Sequence, residues 1–170
     1  MPVSMIVIIV IFPAAMAFAA ASDLLTMTIS NKLSLILIAA FVVCAFAVPL
    51  SLSQIGLHFA AGGLVLAICF GMFAAGWIGG GDAKLAAATA LWFGFGQLLP
   101  YLLIASVFGG VMTLVILKLR GHPLPIVAEN WGWLRRLHAA NSGVPYGIAL
   151  AFSALLVLPD TEIWRAGIGL

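Results

Sequence analysis

Apolar runs separated by short polar clusters dominate the chain. Most of these runs are close to the roughly 20 residues that an α-helix needs to cross the hydrocarbon core of a bilayer. A segment that spans lipid must satisfy its backbone hydrogen bonds internally, which favours helices over isolated strands. The pattern therefore predicts an all-α, polytopic membrane helix bundle of about six transmembrane helices. They cover residues 3–22, 33–52, 55–78, 83–97, 99–118 and 142–158.

The division between the fourth and fifth helices is an interpretation of one long run. Residues 85–117 contain no charged side chain and are too many for one ordinary span. Gly94 and Pro100 fall in the middle of the run, and both residue types interrupt helices. We therefore predict a short helix over 83–97 and a second one over 99–118.

Composition supports a membrane protein. Hydrophobic residues make up 65% of the 170 positions and charged residues 7%, and the mean hydropathy is +1.26. A soluble domain carries about 25% charged residues, so these charges are too few to cover a surface that faces water. The helices leave little chain for anything else, and we expect residues 1–170 to form a single membrane-embedded domain.

The basic residues are unevenly distributed over the predicted loops. This asymmetry predicts that the loop after Asp23, the triple-glycine turn and the 118–141 loop are cytoplasmic, with both termini outside. Trp131 and Trp133 beside basic residues suggest a segment at the lipid headgroups. The sequence contains no basic patch with interleaved aromatic residues that would indicate nucleic acid as a partner. One side collects Lys32, Lys84, Lys118, Arg120, Arg135 and Arg136, and the other collects Arg165.

The cysteines and the N-terminus limit the chemistry further. Cys44 and Cys69 each lie inside an apolar run, and neither a C-x-x-C pair nor a Cys/His cluster is present. We therefore expect no metal and no cofactor. Residues 20–22, Ala-Ala-Ser, resemble a signal-peptidase site, but residues 1–5 carry no Lys or Arg. We expect the first helix to be retained.

Asp23 and Asp82 are the acidic residues that lie on the predicted cytoplasmic side near the ends of apolar helices. Carboxylates at membrane depth are costly and are functional candidates by default. Asp23 could instead simply mark the end of the first span, and Asp82 could cap the helix that follows it. If the first and fourth helices are adjacent, the two carboxylates can share a proton. One would then act as general base on a water and the other as general acid.

Three glycines precede Asp82 and extend this hypothesis. Gly79, Gly80 and Gly81 permit unusual backbone angles and close backbone approach. They predict an extended strip without side chains, which a bound peptide strand would need beside the carboxylate.

Three segments resemble the prepilin peptidase family, whose members are type IV leader peptidases. Residues 79–85, G-G-G-D-A-K-L, are similar to the family motif G-x-G-D-x-K-L. Residues 23–31 are similar to the segment around the family's first aspartate, which often reads D…I-P-N. Residues 144–147, V-P-Y-G, are similar to a third characteristic string of the family. The segments occur in the family's order, and the resemblance spans nearly the whole chain.

The chain departs from the family pattern in two places. Ser30 stands where the family usually has the proline of I-P-N, and Leu24 and Leu25 stand where it often has basic residues. The paired C-x-x-C motifs of the longer members, which also N-methylate the new pilin terminus, are absent from this sequence. It therefore resembles the short, peptidase-only form that is associated with tight-adherence (Flp-type) pili.

The resemblance implies an aspartic endopeptidase with Asp23 and Asp82 as its catalytic residues. Its substrate would be a type IV prepilin, cleaved after a short basic leader and before the hydrophobic helix, at the cytoplasmic face of a bacterial inner membrane. N-methyltransferase activity is not expected. The implied partners are the prepilin, the lipid bilayer and other pilus-assembly or secretion components.

The resemblance also implies residues that bind substrate or shape the site. Simpler roles compete with these: an interfacial cation for Lys84, a cap of the second helix for Asn31, and packing at the start of the last helix for Pro145 and Tyr146. His58 is expected to face outward with no functional role. The implied set is Gly79, Gly80, Gly81, Lys84, Asn31, Pro145, Tyr146 and Gly147.

Two functions of other classes use the same features. A small proton or cation transporter, or a channel subunit, could place both aspartates on an ion path. A non-catalytic assembly factor of a secretion system would tolerate substitution of both. Loss of cleavage on Asp→Asn substitution, without ion flux in the intact protein, separates the peptidase from these alternatives.

Overall fold

The computed structural model of the chain describes residues 3–125 and 130–168, and within these ranges the regular structure is helical throughout. The predicted all-α class is therefore confirmed. Residues 126–129 of the predicted polar loop lie outside the described ranges. In chain order the helices are α1 (Val3–Thr26), α2 (Asn31–Ala47), α3 (Leu52–Ala74), α4 (Gly80–Arg120), α5 (Gly132–His138), α6 (Gly147–Val157) and α7 (Glu162–Ile168).

Several of these helices have the length and composition of membrane spans. α1, α3 and α4 qualify by themselves, and residues 147–168 form a further candidate span that is bent by 56°. α2 is apolar but shorter, with 17 residues. Large apolar side chains such as Phe46 and Phe70 are 70% and 64% exposed, which suits a lipid-facing surface. The chain is an integral membrane protein, and the number of six spans stays a prediction.

Helix α4 turns back on itself near its middle. Its 41 residues would extend about 60 Å as a straight helix, twice the thickness of a bilayer core. Gly94 interrupts it with φ 53° and ψ −169°, angles that essentially only glycine adopts. Asp82 and Thr113 line the same cavity although 31 residues separate them, so the two halves run side by side. The predicted division is therefore real, but it falls at Gly94, whereas Pro100 lies within a helix.

An aromatic cluster close to this break joins three helices. Trp92 is fully buried, and its Nε1–H donates to the Leu37 carbonyl at 3.2 Å. The Phe12 and Phe41 rings lie 4.7 and 5.9 Å from the Trp92 ring between centroids. Tilted aromatic pairs at such distances add stabilisation beyond the burial of their surface. The cluster holds α1, α2 and α4 together at the end of the first half of α4.

His58 has a structural role that its sequence context did not suggest. It is 4% exposed, and its Nδ1 lies 2.6 Å from the Leu91 carbonyl. In a regular helix that carbonyl accepts the N–H of residue 95, but the break at Gly94 interrupts this turn. His58 of α3 supplies a partner instead. His58 is therefore a buried structural residue, because a buried carbonyl at a helix break needs a hydrogen-bond donor.

The ends of the next two helices also differ from the predicted boundaries. α2 begins two residues early because Ser30 is its N-cap and accepts from the Lys32 N–H at 3.3 Å. Asn31 is therefore the first helical residue and not the predicted cap. α3 begins at Leu52, where Ser51 and Gln54 form a capping box. Such side-chain caps satisfy N–H groups that a helix leaves unpaired.

Substitution of Gly94 tests the break. Gly94→Ala would place a side chain in a glycine-only conformation, with its Cβ 3.0 Å from His58 Cε1, and we expect a loss of about 1–3 kcal/mol of stability. Gly96→Ala is the control, because nothing lies within 4 Å of a Cβ there. Thermal unfolding of both variants in detergent measures the difference. An equal midpoint for the two would mean that Gly94 is not required at the break.

Candidate active site

Asp23 lies one turn before the end of α1. The helix continues to Thr26, so Asp23 does not end the first span as predicted. It is 6% exposed. Met27 then adopts the left-handed conformation, φ 55° and ψ 31°, and its N–H donates to the Asp23 carbonyl at 2.8 Å. This cap turns the chain directly after the aspartate.

A small polar turn fixes the segment that follows Asp23. The Ser22 hydroxyl donates to the Thr28 carbonyl at 2.8 Å, and the hydroxyls of Thr26 and Thr28 lie 2.7 Å apart. These bonds hold Ile29 where Gly81 and Gly147 approach it. A Cβ at Gly81 would lie 3.2 Å from Ile29 Cβ, so the turn depends on the missing side chain there.

Asp82 lies in the first turn of α4. Gly79 is the N-cap, with extended backbone angles, and Gly80 is the first helical residue. Asp82 is therefore not a cap, and only Gly79 keeps the extended conformation that we predicted for all three glycines. A Cβ at Gly79 would lie 2.9 Å from Asp82 Oδ2. A carboxylate in the first turn interacts favourably with the positive end of the helix dipole.

The start of α6 provides the partner of Asp23. The Gly147 N–H donates to Asp23 Oδ2 at 2.7 Å, in a buried hydrogen bond. This N–H belongs to the unpaired donors at a helix N-terminus, which favour negative charge. A Cβ at Gly147 would lie 2.8 Å from both Asp23 Oδ2 and Ile29 Cδ1. Only glycine therefore lets α6 approach the carboxylate this closely.

The two aspartates line one cavity of about 730 Å³. Asp82 Oδ1 is buried and has no hydrogen-bond partner among the described residues. A buried acceptor without a donor is uncommon and marks this carboxyl group as a functional candidate. Within the described ranges no three His, Cys, Asp or Glu side chains form a group that could hold a metal ion. The lining is Asp23, Met27, Gly76, Trp77, Ile78, Gly79, Asp82, Thr113, Gly143, Val144 and Tyr146.

Some of the predicted site residues lie beside this cavity instead of lining it. Lys84 points away from it and donates from Nζ to Asn31 Oδ1 at 2.8 Å. Pro145 is buried between Val144 and Tyr146, which do line the cavity. Gly80 and Gly81 border a smaller adjoining space of about 250 Å³ that both aspartates share.

Tyr146 is held by a glycine that the sequence analysis did not consider. Its hydroxyl donates to the Ala105 carbonyl at 3.1 Å. A Cβ at Gly109 would overlap the Tyr146 ring, whereas nothing lies within 4 Å of a Cβ at Gly110. The second half of α4 thus fixes the residue that precedes Gly147. The Gly109-Gly110 pair in an apolar run was the available signal, since small residues mark close helix contacts in membranes.

Two arginines of the predicted basic loop tie its helix to the site. Arg120 donates from Nε to the Leu137 carbonyl and from Nη2 to the Gly143 carbonyl, both at 2.8 Å. Arg136 of α5 donates to the Leu25 carbonyl at the end of α1. The carbonyls at helix C-termini are unpaired, so a cation is favourable there. These arginines therefore connect the ends of α1, α4 and α5 with the segment before α6.

Comparison with known proteins places the chain in a family. A sequence model of the type IV leader peptidase family matches residues 10–114, more than half of the chain and a range that includes both aspartates. The chain belongs to the type IV leader peptidase family. The family match indicates a peptidase whose substrate is of the prepilin type in general. Neither the search of curated proteins nor the search of solved structures found a match.

Gly147→Ala tests whether the close approach of α6 to Asp23 matters to a leader peptidase. The added Cβ would push the carboxylate and Ile29 away, and displacement of a reacting group by about 1 Å can cost about 100-fold in rate. We expect prepilin cleavage to fall by that order. Gly143→Ala is the control, because it lies at the same cavity with nothing within 4 Å of its Cβ. Equal cleavage rates for the two variants, at equal abundance in the membrane, would contradict the proposed requirement.

Gly109→Ala tests the support of Tyr146. The Cβ must displace the aromatic ring, so we expect a loss of about 1–3 kcal/mol of stability from overpacking, together with slower cleavage. Gly110→Ala should behave like the unchanged protein in both respects. The measurements are the unfolding midpoint in detergent and the initial rate of leader removal. A stable Gly109→Ala variant with full activity would argue against this contact.

Proposed function

We propose that the chain is an aspartic endopeptidase that removes the short basic leader of type IV, Flp-like prepilins, with Asp23 and Asp82 as its catalytic residues. The observation that carries the proposal is that both carboxyl groups line one cavity beside a backbone N–H donor. Membership of the leader peptidase family supports a proteolytic role for this cavity. The site residues come from α1, α4 and α6, which are far apart in the sequence. Their arrangement therefore depends on the packing of these helices and not on local structure.

The chemistry follows from two carboxyl groups that share one proton. The ionised carboxylate takes a proton from a water, whose oxygen attacks the carbonyl carbon of the scissile peptide. The protonated carboxyl donates its proton to the carbonyl oxygen, and a tetrahedral gem-diol results. When the intermediate collapses, the C–N bond breaks, the leaving nitrogen takes one proton from the pair, and one hydroxyl of the gem-diol returns its proton to the pair. A carboxylic acid and an amine are released, and the pair again holds one proton.

The donor on Asp23 fits this scheme. The Gly147 N–H donates a hydrogen bond to Oδ2 of Asp23. This bond orients the carboxylate without adding a second charge. Asp82 Oδ1 is buried without a partner in the described part of the chain, and a hydrogen bond from the bound water or substrate would satisfy it. Preorganised groups of this kind stabilise a transition state because they need no reorientation during the reaction.

We further propose that the cavity opens at the cytoplasmic face of a bacterial inner membrane, with both termini outside. Six basic residues fall on the side of the aspartates in the predicted topology, and one falls on the other side. The resemblance to the peptidase-only form supports Flp-type prepilins as substrates. It also supports the expectation of no N-methyltransferase activity, and other pilus-assembly or secretion components remain proposed partners.

Substitution of either aspartate tests the proposal. We expect Asp23→Asn and Asp82→Asn each to reduce cleavage by about 10²–10⁴-fold, the contribution of a general acid or base. The chain and a Flp-type prepilin are produced together in a host without its own leader peptidase. Leader removal is followed by gel shift and mass.

Asp160→Asn is the matched control, because Asp160 lies at an exposed position far along the chain from both carboxylates. It should cleave as the unchanged protein does. Cleavage by both Asp23→Asn and Asp82→Asn at the unchanged rate would exclude the aspartic mechanism. Failure of the unchanged protein to cut several prepilins would overturn the proposed substrate class.

A further inference from the structure

An apolar slot leads from the catalytic cavity into the helix bundle. It has a volume of about 250 Å³ and shares Ile78, Asp82 and Tyr146 with the lining of the larger cavity. We define the slot by its walls. Val65, Ile68, Cys69 and Met72 of α3 form one wall, and Leu102 and Ser106 of α4 form the other.

The slot runs along the helices and away from the level of the aspartates. Met72 lies near the end of α3 that faces the cavity, and Val65 lies about 10 Å further along that helix. On α4, Thr113 lines the cavity, whereas Ser106 and Leu102 lie progressively deeper. The slot therefore begins at Asp82 and continues for about two helical turns toward the interior of the membrane.

The slot also opens sideways, toward the lipid-facing surface. Val65, at 3% exposed, forms its floor, whereas Ile68 is 56% exposed and Ser106 is exposed. Apolar side chains form most of the walls of the slot, in contrast to the polar cavity around Asp23. A second apolar groove of about 470 Å³ near Lys84 shares no lining residue with the cavity. The slot, in contrast, includes Asp82 in its lining.

We propose that the slot receives the hydrophobic segment of the substrate that directly follows the scissile bond. This inference rests on the proposed function. A substrate with a basic leader on one side of the cut and a hydrophobic segment on the other needs a polar and an apolar path that meet at the catalytic pair. Asp82 lies where the cavity and the slot meet, and lateral opening lets the segment enter from the bilayer without crossing water.

Cross-linking from Cys69 tests contact with the substrate. In a Cys44→Ala background, Cys69 is the remaining thiol. Single cysteines are introduced along the hydrophobic segment of a Flp-type prepilin, and Asp23→Asn keeps the substrate uncut. We expect oxidative cross-links to Cys69 at positions close to the cleavage site. The control protein carries Cys69→Ser and Phe70→Cys, which moves the thiol to a side chain that is 64% exposed and outside the slot.

Filling the slot tests its role in cleavage. Ser106→Phe should lower kcat/KM by about tenfold or more, mainly through KM, because the larger side chain occupies the space of the segment. Val107→Phe is the control, because Val107 is 67% exposed and lies outside the slot.

The outcomes separate this inference from the proposed function. If the unchanged protein does not cleave the prepilin, the proposed function fails. If it cleaves, but Ser106→Phe acts like Val107→Phe and Cys69 forms no more cross-links than the control thiol, the slot is not the substrate path. If that negative result for Ser106→Phe and Cys69 is accompanied by labelling of Cys69 with a thiol-reactive lipid, an acyl chain fills the slot.

Discussion

The site depends on one buried hydrogen bond between the two ends of the sequence. Asp23 lies near the C-terminal end of α1, where the helix dipole disfavours a negative charge. Gly147 N–H, at the start of α6, donates to it and brings the positive end of another helix to the carboxylate. The bond requires a backbone without a side chain at residue 147. Tyr146 is anchored on α4 next to it, so contacts beside this one carboxylate join three helices.

The fold-back of α4 completes the arrangement. Gly94 reverses the direction of the helix. The first half contains Asp82, and the second half contains the Ala105 carbonyl that binds Tyr146. Both halves thus reach the same end of the bundle. The cost of a break inside an apolar bundle is offset by His58, which bonds to the Leu91 carbonyl. A structural histidine far from the cavity therefore stabilises the fold-back of α4.

The sequence predicted the features that depend on local pattern and missed those that depend on contacts between helices. Apolar runs predicted the helices, and acidic residues at their ends indicated Asp23 and Asp82. The role of Gly147 followed only as part of a family string, because its N–H meets a side chain 124 residues away. Nothing local distinguishes Gly109 from Gly110, since only the Tyr146 ring makes the first one indispensable. The N-cap at Ser30 was missed because Asn31 is an equally good capping residue by type.

The position of Asp82 between a polar cavity and an apolar slot also bears on specificity. A peptidase with an open polar site alone would cut many soluble chains, whereas Asp82 borders an apolar slot as well as the polar cavity. A segment that is hydrophobic on only one side of the scissile bond can satisfy both environments at once. Binding energy from the slot would then be used to place the bond at the carboxylates, which is how contacts remote from the reacting atoms raise specificity. A fully polar peptide would gain nothing from the slot.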